Sequence, residues 1–295
     1  MLSLICAPDA AELTPAVLDR VNHGLDAAAA RAQPEVWLDR HRAAEMAFDG
    51  DGAAALAELR RRLADLPVDI NVLPAMDRRK KLLVSDMDAT AIVGETLDEL
   101  SGFTAHKAEI DNLTLQSVNG LMGFAETLVA RMELMRGLPE EAFAKTWERI
   151  EATPGMRTVV ATMRADGAYT ALVSGGFTYF TSRVRDLIGF DCDIANSLEL
   201  VDGRLTGRIP PPIIDPAGKV EALRHLSAER QLSPAQTLAV GDGSNDIPML
   251  QAAGLGVAFR GKPRVKLAVP VWLDHAGATG LLYLQGFGRS EFVES

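Results

Sequence analysis

The 295-residue chain contains only two cysteines, Cys6 and Cys192. They are far apart and fit no metal-ligand spacing, which excludes a disulfide framework and a thiolate zinc site. Two free thiols in a reducing cytosol is the reading they support. Basic residues are also scarce: 30 Lys and Arg against 40 Asp and Glu leave a net charge of −10. There is no basic stripe to neutralise nucleic-acid phosphates, so a nucleic-acid binder is not expected. The densest basic run, within Asp77–Lys81, is short and isolated, and is expected to solvate a linker. No apolar run approaches the roughly 20 residues of a membrane span. The stretch Met1–Leu13 has neither the basic start nor the apolar length of a secretory signal. A cytoplasmic protein with no membrane partner is therefore expected.

What is present suits a packed globular protein, with 47% hydrophobic and 24% charged residues. The length fits two domains, or one large domain with an insertion. Residues 1–76 alternate strand-like and helical runs. "SLICA" at 3–7 reads as a strand, and Thr14 and Pro15 read as the N-cap and first residue of a helix. "EVWLD" and "AEMAF" read as a strand pair, "GAAALAELRRRLADL" as a helix and "VDINVL" as a last strand. The order β-α-β-β-α-β predicts a small ferredoxin-like α+β unit. Nothing in it looks catalytic, and His23 and His41 read as surface or packing residues.

A different grammar governs residues 77–295. "KLLVSD", "YTALVSGG" and "TLAVGDG" are compact apolar runs that end in small or acidic residues, and "GLGVAF" is a further strand. Separated by helical stretches, they predict an α/β fold with a Rossmann-like parallel sheet buried on both faces. A helical insertion over about 97–150 follows the first of these strands and is placed to cap the carboxyl edge of the sheet. "SLELVDGRLTGRI" reads as a hairpin turning at Asp202-Gly203.

Ligands of open α/β sheets bind at the carboxyl ends of the strands. Three polar signatures lie at such ends: Asp86 with Asp88, Ser174-Gly175-Gly176, and Gly241-Asp242-Gly243. In extended backbone, residues i and i+2 point the same way, so Asp86 and Asp88 share a side. Like charges so close raise each other's cost of ionisation. A cation between them, or a proton kept on one, relieves that cost. Asp86, Asp88 and Asp242, with Asp246, form an oxygen-rich cluster suited to Mg²⁺. No His or Cys accompanies it, which argues against zinc. Ser174 and the two glycines offer a hydroxyl and unobstructed amides for an anion, and Lys219 a point charge. A carboxylate can attack phosphorus, and its neighbour can move the proton. Each signal alone is weak. Lys219 alone reads as a solvated helix residue, Glu95 as a first-turn acid, and Arg131 as an exposed arginine paired with Glu126 or Glu133. Their order along the chain is what carries the reading.

In that order, "DMDAT", "SGGF", Lys219 and "GDGSNDIPML" resemble the four motifs of the haloacid dehalogenase-like phosphohydrolases. "DMDATAIVGETLDEL", "GFAETLVARMELMRG" and "AVGDGSNDIPMLQAAGLGVAFRGKP" resemble the phosphoserine phosphatases of bacterial serine synthesis, over about residues 80–288. The resemblance implies Mg²⁺-dependent hydrolysis of O-phospho-L-serine through an aspartyl-phosphate. Asp86 is then the nucleophile and Asp88 the general acid/base. Asp86, Asp242 and the backbone carbonyl of Asp88 hold the metal. Ser174, Gly175, Gly176, Lys219 and Asn245 hold the phosphate, and Asp246 orients Lys219. Glu95 reads the substrate's ammonium, Arg131 its carboxylate, and Phe124 lines the cap. Val118 and Val129 depart from the family's usual methionine and basic residue, which bears on selectivity rather than on the reaction. The N-terminal unit resembles ACT-like modules, leaving homodimerisation, structural support and serine sensing open as its roles. Two other activities stay open: action on another small phosphomonoester or acceptor alcohol, and a non-catalytic serine-sensing protein.

Overall fold

The structure, a computed structural model, describes residues 1–8 and 12–294. The first 72 residues build the expected β-α-β-β-α-β series. Strands β1 (Leu2–Cys6), β2 (Val36–Asp39), β3 (Ala43–Met46) and β4 (Val68–Val72) form an antiparallel sheet in the order β2-β3-β1-β4. Helices α1 (Pro15–Ala27) and α2 (Gly52–Arg62) complete it. Both start where the sequence provides a cap. Thr14 accepts from the Val17 amide at 3.4 Å, and Asp51 accepts from the Ala53 amide at 2.8 Å. Alternation along β1 explains how the sheet is covered. Leu2, Leu4 and Cys6 pack with Val21, Leu25 and Leu59 of the two helices. Ile5 points the other way and joins the main core of the molecule.

That main core is organised by a second sheet of six parallel strands. These are β5 (Leu82–Ser85), β6 (Tyr169–Phe177), β7 (Cys192–Asn196), β8 (Thr237–Gly241), β9 (Leu255–Phe259) and β10 (Val271–Leu273), in the order β7-β6-β5-β8-β9-β10. The central strand β5 is buried on both faces, which is why it reads as an unbroken apolar run. Leu83 packs with α7 (Met156–Ala165) and α8 (Thr178–Ile188). Leu82 and Val84 face α9 (Pro216–Glu229) and α10 (Ile247–Ala252) on the opposite side.

The insertion after β5 is helical, as expected. It comprises α3 (Thr96–Ser101), α4 (Lys107–Val118), α5 (Phe124–Leu134) and α6 (Glu140–Trp147). A two-residue ladder between Ile92–Val93 and Glu151–Ala152 ties its two ends together at the sheet. The hairpin also forms, with Leu200–Val201 against Arg204–Leu205. Asp202 and Gly203 both have positive φ, 51° and 71°, as a two-residue turn of this hand requires. The hairpin braces the insertion, since the Gly137 amide donates to the Leu205 carbonyl at 2.8 Å.

One expectation fails. Within the basic run at 77–81, Arg79 stays exposed, but Arg78 and Lys80 do not solvate a linker. Arg78 pairs with the buried Glu45 and donates to the Leu284 carbonyl at 2.9 Å. Lys80 is buried and donates to the carbonyls of Asp77 and Ala235 at 2.6 and 2.7 Å. Charge density suggested exposure, but these side chains satisfy backbone carbonyls and a carboxylate between the two sheets. Besides the apolar packing of Ile5 and Ala43 into the main core, the contact between the sheets carries specific polar pairs. Asn71 of β4 donates to the Trp272 carbonyl (2.9 Å) and accepts from the Trp272 amide (3.1 Å). A side-chain amide thus does for edge strand β10 what a neighbouring strand would. Asp69 accepts from the amides of Asp274, His275 and Ala276.

Candidate active site

The carboxyl edge of the parallel sheet gathers the residues singled out in the sequence. Asp86 directly follows β5, and its amide continues the ladder by donating to the Val240 carbonyl at 3.0 Å. The chain then turns through Met87–Ala91, with Asp88 extended (φ −66°, ψ 137°) and Ala89 left-handed (φ 51°). Asp86 and Asp88 consequently line one cavity of about 350 Å³, together with Glu95, Phe124, Arg131, Ser174, Gly175, Gly176, Asp242 and Asn245. The insertion forms the outer wall.

Lys219, a solvated residue when read alone, is 1% exposed. It stands on the first turn of α9, which Asp215 caps by accepting from the Gly218 amide at 2.9 Å. Its ammonium reaches Oδ1 of Asp86 and Oδ1 of Asp246, both at 2.6 Å. A buried cation between two buried carboxylates is stable only as a set, because loss of one member leaves an uncompensated charge. Burial alone lowers the pKa of Lys219, but the Asp246 and Asp86 carboxylates outweigh it and hold the ammonium above its ordinary value. Burial and the nearby Asp246 charge push Asp86 well above the usual carboxylate range, against the pull of Lys219. Asp246 also accepts from the Gly243 amide at 3.0 Å. Its approach depends on Gly241, where a Cβ would lie 2.5 Å from the Asp246 Cγ.

Asp88 is held from the insertion side. The Thr96 amide donates to its Oδ1 at 2.8 Å and the Thr96 hydroxyl to its Oδ2 at 3.3 Å. Burial pushes its pKa up to about 6 despite these bonds. The carboxyl can therefore carry or release a proton near neutrality, the requirement for general acid–base work. Ser174, Gly175 and Gly176 lie within the end of β6, where the register against β7 shifts between Val173 and Phe177. The Gly176 amide is committed to Ser174 Oγ at 2.9 Å.

On the outer wall, Arg131 Nη2 donates to Asp98 at 3.0 Å. The helix partners weighed from the sequence are not used: Glu133 binds Arg136 instead, at 2.9 Å. Glu95 stands at the N-cap of α3, and burial with the Asp88 charge raises its pKa to about 7. Among the site residues not singled out from the sequence are Thr96, Asp98 and Lys262. The first two follow Glu95 by one and three residues, so the start of α3 was their only signal. Lys262 lies 3.2 Å from Asp242 and 3.7 Å from Glu95. It lies three residues past the end of β9, and a lysine soon after a strand end at this edge was the signal for it.

Oxygens of Asp86, Asp242 and Asp246 all lie within 4.8 Å of one another, and all three residues are buried. The donor set is entirely oxygen, with burial raising the pKa values of Asp86 and Asp242. Such a cluster fits a hard cation. Asp246 is already spent on Lys219 and the Gly243 amide, which leaves Asp86 and Asp242 as the pair suited to a metal.

This sheet order, with acidic residues at its carboxyl edge beneath a helical insertion, defines a hydrolase class. The chain belongs to the haloacid dehalogenase-like hydrolase family, whose model matches residues 83–251. Relatives within that family include phosphoserine phosphatases. It is 39% identical to the phosphoserine phosphatase of Archaeoglobus fulgidus over 218 residues, 73% of this chain and 63% of that protein. The chain spans between 52% and 63% of the length of this relative and those of Streptomyces coelicolor and Mycobacterium tuberculosis. Among solved structures, a HAD family hydrolase from Salmonella enterica serovar Typhi superposes with a TM-score of 0.85 at 25% identity, covering 96% of this chain and 97% of that one. A phosphoserine phosphatase solved as a phospho-aspartyl intermediate analogue superposes with a TM-score of 0.65 at 31% identity, covering 69% and 98%. Among the described residues, no helix is long and apolar enough to cross a membrane.

Proposed function

We propose that the protein is a Mg²⁺-dependent phosphatase that hydrolyses O-phospho-L-serine to L-serine and phosphate, the last step of serine biosynthesis, in the cytoplasm. The observation that carries this reading is the Lys219 clamp. It fixes one oxygen of Asp86 at 2.6 Å while Asp88, two residues on, holds a carboxyl whose pKa burial pushes up to about 6.

In the first step an Asp86 oxygen attacks phosphorus. The P–O bond to the seryl oxygen breaks, and that oxygen takes the proton from Asp88. In the second step Asp88, now a carboxylate, takes a proton from water. The water oxygen attacks the phosphorus of the aspartyl ester, which releases phosphate and restores Asp86. Lys219, Ser174, Gly175 and Asn245 bind the phosphoryl oxygens, and Asp246 keeps Lys219 in place. Gly176, with its amide committed to Ser174, lets the strand end pass close to Met87 and Asp88, where a Cβ would lie 3.2 Å from the Met87 Cε. Mg²⁺ held by Asp86, Asp242 and the Asp88 carbonyl would offset negative charge between carboxylates and phosphate. Glu95 takes the ammonium of the substrate. Arg131 takes the carboxylate, and Phe124 closes over the pair.

The phosphoserine phosphatase relatives support the choice of substrate, and the phospho-aspartyl analogue of one of them supports the covalent step. In the same reading, residues 1–76 are a separate N-terminal domain and 77–295 the phosphatase domain. The test is phosphate release from phosphoserine by wild type and by Asp86→Asn, with and without Mg²⁺. Near-complete loss in the variant and on chelation is expected. Undiminished release by the variant would remove the nucleophile.

A further inference from the structure

Helix α5 turns Phe124, Thr127, Leu128 and Arg131 toward the cavity, the i, i+3, i+4, i+7 stripe of a single helix face. Thr127 is the anomaly in that stripe. It is 3% exposed, and its hydroxyl has no hydrogen-bond partner among the described residues. A helical threonine ordinarily has a way out, by donating to the carbonyl four residues back. Thr114 of α4, which lines the same cavity, does this, reaching the Ile110 carbonyl at 3.1 Å. Thr127 does not. A buried hydroxyl left unpaired costs stability, and a valine of the same shape would not carry that cost. One turn further along the same face, Arg131 repeats the pattern. Its Nη2 is engaged by Asp98, but its Nε is buried with no partner among the described residues.

Two unsatisfied buried donors thus belong to residues one helical turn apart on a common face, both of which line one cavity. A single carboxylate has two oxygens and accepts from both. We infer that Thr127 is a specificity-determining residue, whose hydroxyl donates to the substrate carboxylate beside Arg131. The inference rests on the phosphoserine reading above and adds a contact to it. It also accounts for a polar residue among apolar neighbours. The hydroxyl is satisfied only in the complex, so its binding energy is specific to ligands that carry the anion.

The test compares O-phospho-L-serine with O-phosphoethanolamine, which retains phosphate and ammonium but lacks the carboxylate. Thr127→Val should raise KM for phosphoserine about five- to thirtyfold, leave kcat within a factor of two, and leave kcat/KM for phosphoethanolamine unchanged. Its melting temperature should equal or exceed that of the wild type. Thr127→Ser, which keeps the hydroxyl, should keep a KM near the wild-type value. Equal losses on both substrates, or an unchanged KM for phosphoserine in Thr127→Val, would overturn the inference and leave the phosphatase reading standing. A wild-type protein that releases nothing from phosphoserine would overturn both.

Discussion

Phe124 of the insertion rests directly on Gly175 of the sheet: a Cβ at Gly175 would lie 2.4 Å from the Phe124 Cζ. The glycine is thus needed for clearance, since its φ is not in the left-handed region. An added methyl must turn the Phe124 ring aside or push the insertion outward, and overpacking of this kind costs about 1–3 kcal/mol. Displacing Phe124 and Arg131 together by a fraction of an ångström to 1 Å should cut kcat/KM about ten- to a hundredfold. Gly175→Ala is therefore expected to fold and to lose activity to that extent. Steady-state kinetics with a thermal melt checks it, and unchanged kcat/KM contradicts it.

Lys219 holds two buried carboxylates together, so its removal is a test of stability as well as of activity. Lys219→Met should cost roughly 3–5 kcal/mol in urea unfolding at pH 7, the penalty for leaving buried charges uncompensated. The deficit should shrink toward pH 5, because Asp86, already raised well above the usual carboxylate range by burial, can then take up a proton and shed its charge. A variant as stable as the wild type at pH 7 would mean that the cluster is not held by this ion pair.

Glu95 supplies a pH dependence with a definite sign. Burial and the Asp88 charge raise its pKa to about 7, and only its ionised form attracts an ammonium. Below that pH the carboxyl protonates, so kcat/KM for phosphoserine should fall as pH drops through about 7. A phosphomonoester without an amino group shares the other titrations of the site and serves as the control; this limb should be missing from its profile. Glu95→Gln should remove the limb for phosphoserine too. Identical profiles for both substrates would count against the assignment.

The contact between the two sheets should govern stability without touching catalysis. Asp69 is buried, and three backbone amides converge on it. Asp69→Ala strands those donors, each at a cost of about 1–3 kcal/mol if water cannot reach it. We expect a loss of about 2–4 kcal/mol in urea unfolding with KM unchanged. A KM shift without loss of stability would instead link the N-terminal sheet to the active site.

Much of this architecture was legible in the chain. Alternating and compact apolar runs marked the first sheet and the centre of the second, but edge strand β7 and helix α8 carried no pattern that was read. Asp86, Asp88, Ser174 and Asp242 were legible because a parallel sheet delivers whatever follows its strands to one edge. What escaped reading depends on distance in three dimensions. Arg78 and Lys80 look like solvated charges until the two sheets bury them against Glu45 and backbone carbonyls. Asp98 gains meaning only when α5 brings Arg131 beside it, 33 residues away in sequence. Thr127 is one threonine among many until its hydroxyl is seen to lack a partner. Pairings across elements are set by packing, and local pattern does not encode them.

The central claim is that the phosphoryl group passes through the carboxylate of Asp86. Acid quench during turnover with phosphoserine, borohydride reduction and peptide mass spectrometry read that directly, because an aspartyl-phosphate is reduced to homoserine. Conversion at residue 86 that requires substrate is the expected result. Conversion at another carboxylate, or at none while turnover proceeds, would contradict the claim.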